Sequence, residues 1–321
     1  MHRSALGALL LVAGISAACG GSPPKSGTLP PSDPVSDGVA ALRIDEVWEL
    51  DGYPDWLLEA FGSLWAKTDD GHLLSIDLDD GALLDTYETG YSAVPACQGL
   101  GRDATALWTC AGNEALVRID PDTGDRTKVP VPKRSDEGRI AFAAGLAWVI
   151  LSGTENLVGL DEAGAVSATV RLGAVCTDLA FDEADVFVLC PTENMVLKVH
   201  AASASVTGTL AVDDPRQAAV GDDLFVGTGD GLVQVDTETL EILHTYAVRP
   251  GLEGSVAATA QQVWVRSVDD GFLTQIDPQA QRIVGRLAAP QYPSGGDVVI
   301  TDSGVWATAF DDSVLVRVVP E

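Results

Sequence analysis

From about residue 40 onward the chain alternates short apolar runs with Gly, Asp, Pro and Thr clusters. That is the pattern of strands joined by tight turns. An apolar residue followed by an aromatic one returns at Leu64-Trp65, Leu107-Trp108, Ala147-Trp148, Val186-Phe187, Leu224-Phe225, Val263-Trp264 and Val305-Trp306. Successive aromatics stand 43, 40, 39, 38, 39 and 42 residues apart. A second apolar run follows each, ending in Ile76-Asp77, Ile119-Asp120, Leu160-Asp161, Val199-His200, Val235-Asp236, Ile276-Asp277 and a degenerate Val318-Val319. A turn comes next, fullest as Asp120-Pro121-Asp122-Thr123-Gly124, and then an alternating run.

Each unit has room for four strands, and no unit carries apolar residues at helical spacing over a useful length. Seven units fill residues 40–321, which predicts an all-β, seven-bladed β-propeller of four-stranded antiparallel blades. The seventh unit ends after its third strand, and residues 41–50 are the expected donor of its fourth. Such pairing closes the ring and removes an exposed edge.

The units resemble the repeats of seven-bladed propellers of the streptogramin B lyase, YVTN and NHL types. Leu107-Trp108, Gly112-Asn113, Arg118-Ile119-Asp120-Pro121 and Thr123-Gly124 carry the likeness most fully. It implies the propeller fold over nearly all of residues 40–321. Function does not transfer with it, because one fold hosts many activities. Streptogramin B lyase works with catalytic histidines and an acid on one propeller face. Here His72, His200 and His244 occupy three different blade positions, and no lyase motif can be carried across.

Residues 1–18 read as an export signal: Arg3 precedes an apolar stretch too short to span a bilayer. The stretch ends in Ser16-Ala17-Ala18-Cys19, which resembles the bacterial lipobox and implies acylation of Cys19. Ordinary secretory cleavage with a free Cys19 is the alternative. Residues 19–39, rich in Pro, Gly and Ser, read as a flexible tether, with the propeller domain at 40–321. The expected address is therefore the bacterial cell membrane or outer membrane, facing periplasm or exterior.

Charge and chemistry narrow the picture further. With 47 acidic residues against 19 Lys and Arg, the chain carries −28, which disfavours nucleic-acid binding. Asp69-Asp70-Gly71, Asp79-Asp80-Gly81 and Asp269-Asp270-Gly271 fall at predicted hairpins, where Asp-Gly is a favoured turn; calcium coordination is the competing reading. The aspartates of the Ile-Asp pairs suit capping of the next turn, and the repeated Trp suits packing between blades. Cys97 and Cys176 each lie 11 residues before their unit's aromatic, and Cys110 and Cys190 lie two and three after theirs. Disulfides Cys97–Cys110 and Cys176–Cys190 are expected, and neither a metal nor another cofactor is.

Five cations, Lys133, Arg134, Arg139, Arg216 and Arg249, lie between one unit's last strand and the next unit's first. Tyr53, Trp56, Tyr91 and Tyr292 occupy equivalent segments. Together they suggest a rim able to bind an anionic or ring-bearing ligand, the alternative being scattered loop charges. The function expected is a monomeric, membrane-anchored, extracytoplasmic scaffold that binds an envelope protein or a small ligand. A lyase or hydrolase acting on one propeller face is the rival reading. A PQQ-like assembly scaffold is a third, though that repeat's own Trp pattern is missing.

Overall fold

The computed structural model describes residues 40–90, 99–111, 115–131, 139–268 and 270–320. All lie in the unit Val35–Glu321 into which the chain divides after Pro34. The signal segment, Cys19 and the tether fall outside the described residues.

Each repeat becomes one blade; in six of them four strands run from inside to outside in chain order, and the seventh takes its outermost strand from the start of the domain. The innermost strands are Pro54–Ala60, Leu100–Arg102, Ala141–Ala143, Asp178–Phe181, Gln217–Val220, Ser255–Ala258 and Val298–Thr301. Each touches the innermost strand of both neighbouring blades, so the seven enclose a central channel. The seven blades with four antiparallel strands apiece match the architecture expected from the repeat.

The core is divided among the seven junctions between blades, each holding its own apolar cluster. Because a second strand packs against a blade on either side, both of its faces are buried, as in Leu107–Cys110 and Val263–Arg266. This explains why the sequence shows continuous apolar runs there instead of alternation. Trp108, Trp148, Trp264 and Trp306 are almost wholly buried, with Phe187 and Phe225 at the same position. Opposite most of these aromatics the inner strand places a small residue: Gly101, Ala141, Ala180, Ala219 and Ala257. Large against small is how neighbouring layers fill space without strain.

The Ile-Asp pairs do what turn chemistry requires. The carboxylates of Asp77, Asp120, Asp161, Asp236 and Asp277 each accept two backbone N–H groups of the turn that follows. Those N–H groups hold Asp120 and Asp236 below the usual carboxylate range. In five blades a β-bulge sits where the third strand reaches this pair, as between Ser75 and Ile76. A bulge sharpens local twist.

Ring closure follows the expected route. The strand Ala40–Glu49 pairs antiparallel with Val314–Pro320 from Leu42 opposite Pro320 to Glu49 opposite Val314. Trp48 meets Trp306 at 4.9 Å, and Arg317 joins Asp45 and Glu46 at 3.1 and 3.2 Å. Trp48 also reaches the first blade: at Gly81, with φ +70°, a Cβ would lie 2.2 Å from its ring. The strand's first residues meet the sixth blade as well, since Ala40 and Ala41 pair parallel with Gly285 and Arg286.

Cys176 and Cys190 form a disulfide at the mouth of the fourth blade's inner hairpin. Cys110 is also disulfide-bonded, whereas Cys97, its expected partner, lies outside the described residues.

Candidate functional site

The channel wall departs from the repeat at one layer. Two residues before the inner-strand position that faces the aromatic stand Trp56, Gly99, Arg139, Asp178, Gln217, Ser255 and Asp297. Every other prominent column of the repeat keeps its residue type; this one does not. All of these except Gly99 line a cavity of about 390 Å³ at the end of the channel where the inner strands begin.

Arg139 organises the layer. Its backbone N–H donates to Asp178 Oδ1 at 3.1 Å, and its side chain stands 4.0 Å from Asp178 Oδ2. Nη1 crosses to the fifth blade and donates to the Ala218 carbonyl at 2.7 Å. The guanidinium lies 5.1 Å from the centre of the Trp56 ring on the first blade. One side chain of the third blade thus ties the first, fourth and fifth together across the channel. Burial pushes the Asp178 carboxyl up, with Arg139 opposing it.

Acids dominate the remaining wall. Asp297 accepts the Leu57 N–H at 3.0 Å and so joins the seventh blade to the first. Asp55 is pushed up to about 7, first by desolvation and then by the charges of Asp69 and Asp297, while Lys67 pulls it back. Five acids and two arginines line the cavity, and Arg216 is already bound to Asp214 at 2.7 Å.

A second cavity of about 690 Å³ opens beside the second blade, bounded by Leu100, Phe142, Leu146 and Phe181. Gly99 and Gly101 leave this sector short of side chains, and Phe142 leans over Gly101. Trp56, Arg139 and Asp297 line both cavities and so stand between them.

Of the residues expected on a basic, aromatic rim, Arg139, Arg216, Arg249, Tyr53, Trp56 and Tyr292 are described. Arg139 lies inside the channel, and Arg216 lines its mouth. Arg249 makes a two-pronged contact with Asp270, at 2.9 and 3.2 Å. Tyr53 is exposed, with φ +60°, and Tyr292 packs against Phe272 at 6.2 Å. Lys133, Arg134 and Tyr91 lie outside the described residues. Among the described residues no histidine lines either cavity: His72 pairs with Asp70, His200 with Asp185, and His244 stacks on Tyr246. Among the described residues no group of three His, Cys, Asp or Glu is placed to hold a metal ion.

Asp55, Asp178, Gln217, Ser255 and Asp297 escaped the sequence reading. They sit in or beside apolar strands and form no motif. The usable signal was positional: six of the layer's seven residues stand nine before the repeated aromatic and Gln217 stands eight before, and their types vary where the rest of the repeat is regular.

No protein-family model matches this sequence, and no curated protein matches it. Among solved structures, the chain is similar to the crystal structure of BamB from Moraxella catarrhalis, with a TM-score of 0.60 at 11% identity. The likeness covers 86% of this chain and 99% of that one. At that identity it speaks to architecture alone. Its repeats, its strand order and this likeness agree that the chain folds as a seven-bladed β-propeller.

Proposed function

We propose that this protein is an exported, lipid-anchored propeller that serves as a ligand- or protein-binding scaffold at the cell envelope. The observation that carries the reading is the channel mouth. There a ring otherwise given over to repeated packing presents Trp56, Arg139, Asp178, Gln217, Ser255 and Asp297, all at one position of the repeat, around a polar cavity. Repeated positions maintain the ring, and unrepeated positions on a rigid scaffold are free to specialise. The lipobox-like Cys19 and the Pro-rich tether support display from a membrane. The Cys176–Cys190 disulfide supports an oxidising compartment. Arg216 and Arg249, with Tyr53 and Tyr292, are the proposed flanking contacts, Arg139 being committed to the channel wall.

The test is site-directed photocrosslinking in intact envelopes. A crosslinking residue replacing Tyr53, which is exposed two residues before the cavity-lining Asp55, is compared with one replacing Leu243, which is exposed on an outer strand. A discrete adduct from the Tyr53 position alone is expected. Adducts from both positions alike, or from neither, would remove the mouth as the binding surface.

A further inference from the structure

We infer that the cavity at the channel mouth binds a protonated amine, carried by a small molecule or by a lysine side chain, through Gln217, Ser255 and Asp55. The inference rests on the binding-scaffold reading and names the chemistry of that site.

Gln217 and Ser255 occupy the same register position on adjacent blades and both line the cavity. They are 8% and 4% exposed, and neither Gln217 Oε1 nor Ser255 Oγ has a hydrogen-bond partner among the described residues. Buried polar atoms are nearly always paired, so two orphans on one wall point to a missing donor. The amide orientation of Gln217 is settled, because its Nε2 donates to the carbonyls of Gly251 and Leu252. Turning it over would set Oε1 against two other oxygens. Gln217 therefore holds an unpaired acceptor in the wall of the cavity.

Charge makes the same selection. The lining holds more carboxylates than guanidiniums, and both arginines are engaged, Arg139 with Asp178 and Arg216 with Asp214. An ammonium group brings three N–H donors and a positive charge, which is what this set of acceptors lacks. A cavity of about 390 Å³ accommodates the group with a short alkyl stem.

The site also carries a pH signature. Asp55 is faced by Asp69, Asp297 and Lys67, and around the cavity stand Arg139, Asp178, Arg216 and Glu253. Desolvation and the acids in this set keep Asp55 largely protonated below neutrality, so amine affinity rises as the pH passes through about 7.

Isothermal titration of the full-length chain in detergent, at about 0.15 M salt to suppress diffuse attraction, tests this directly. The probes are putrescine, Nα-acetyl-lysine amide, and the latter's Nε-acetylated form. Saturable binding of a free amine and none of the acetylated probe is expected. Binding of putrescine alone assigns a small molecule, and binding of the lysine analogue assigns a protein side chain. Ser255→Ala should weaken binding about tenfold, the scale of one hydrogen bond to a charged group. Its melting temperature should hold or rise, since Oγ has no partner among the described residues to lose. Asp55→Asn should flatten the pH dependence. No saturable binding of either free amine, or unchanged binding by Ser255→Ala, would overturn the site. Amine binding without a Tyr53 adduct would leave this site standing and remove the mouth as a protein-docking surface. A Tyr53 adduct without amine binding would do the reverse.

Discussion

At the scale of single residues, the channel is where the chain departs most from its own repeat, and its charges are coupled to stability. Asp55 has its folded pKa raised to about 7 from an ordinary value of 3.8. A carboxyl raised on folding favours the folded state fully below the unfolded value, and that contribution is lost as the pH climbs through the folded one. Asp55→Asn should therefore melt higher than the parent at about pH 8, with the gap closing by about pH 4; a gap independent of pH would contradict this. Arg139 and Arg249 make a contrasting pair. Arg139→Ser leaves Asp178 buried without its guanidinium and should cost about 3–5 kcal/mol in denaturant unfolding, part of it recovered by adding Asp178→Asn. Arg249 is half-exposed in its pair with Asp270, so Arg249→Ser should cost less than about 1 kcal/mol. Equal losses at the two sites would show that the channel position carries no special burden.

Among the elements, the N-terminal strand bears the most. Ala40–Glu49 covers the edge of Val314–Pro320, sets Trp48 on Trp306 and meets the sixth blade at Gly285. Deleting residues 40–49 should bare that edge and yield aggregation on size-exclusion chromatography, whereas a soluble truncation with an unchanged melting temperature would refute the closure. The role of this strand was legible because the last repeat is one strand short. Its parallel contact with the sixth blade was not, since pairing between blades leaves no trace in a repeat read one unit at a time. The hairpin of the fourth blade permits a second check. Cys176–Cys190 spans 14 residues, for which loop closure sets a ceiling of about 3 kcal/mol. Cys176→Ser/Cys190→Ser should lose less than that in denaturant unfolding, because strand pairing already constrains the ends.

For the whole molecule, a ring of seven separate cores explains how a chain carrying −28 stays folded. The apolar mass is distributed over blade junctions, while acids occupy turns that bind their carboxylates through backbone N–H groups. The proposed anchor has its own test: Cys19→Ser should move the protein from the membrane to the soluble fraction or leave an uncleaved precursor. A wild-type mature N-terminus free of lipid, read by mass spectrometry, would refute it.

The sequence by itself determined the number of blades, the strand order within each, the place of the aromatics and the strand that completes the ring. All four repeat, or fail to repeat, along one dimension, and packing at a blade junction calls for the same residue types every time. The surroundings of the arginines expected on the rim are not among these. Arg139, Arg216 and Arg249 share a segment in the repeat, yet one spans the channel, one lines its mouth and one is paired beside it. Only the closed ring decides this, because it sets Arg139 against Trp56 of the first blade and Ala218 of the fifth, 83 and 79 residues away in the chain. The orphaned atoms of Gln217 and Ser255 are likewise a property of the assembled wall. A side chain's charge and hydrogen-bonding capacity can be read in a sequence; whether a partner stands within reach is decided only when seven blades meet around one axis.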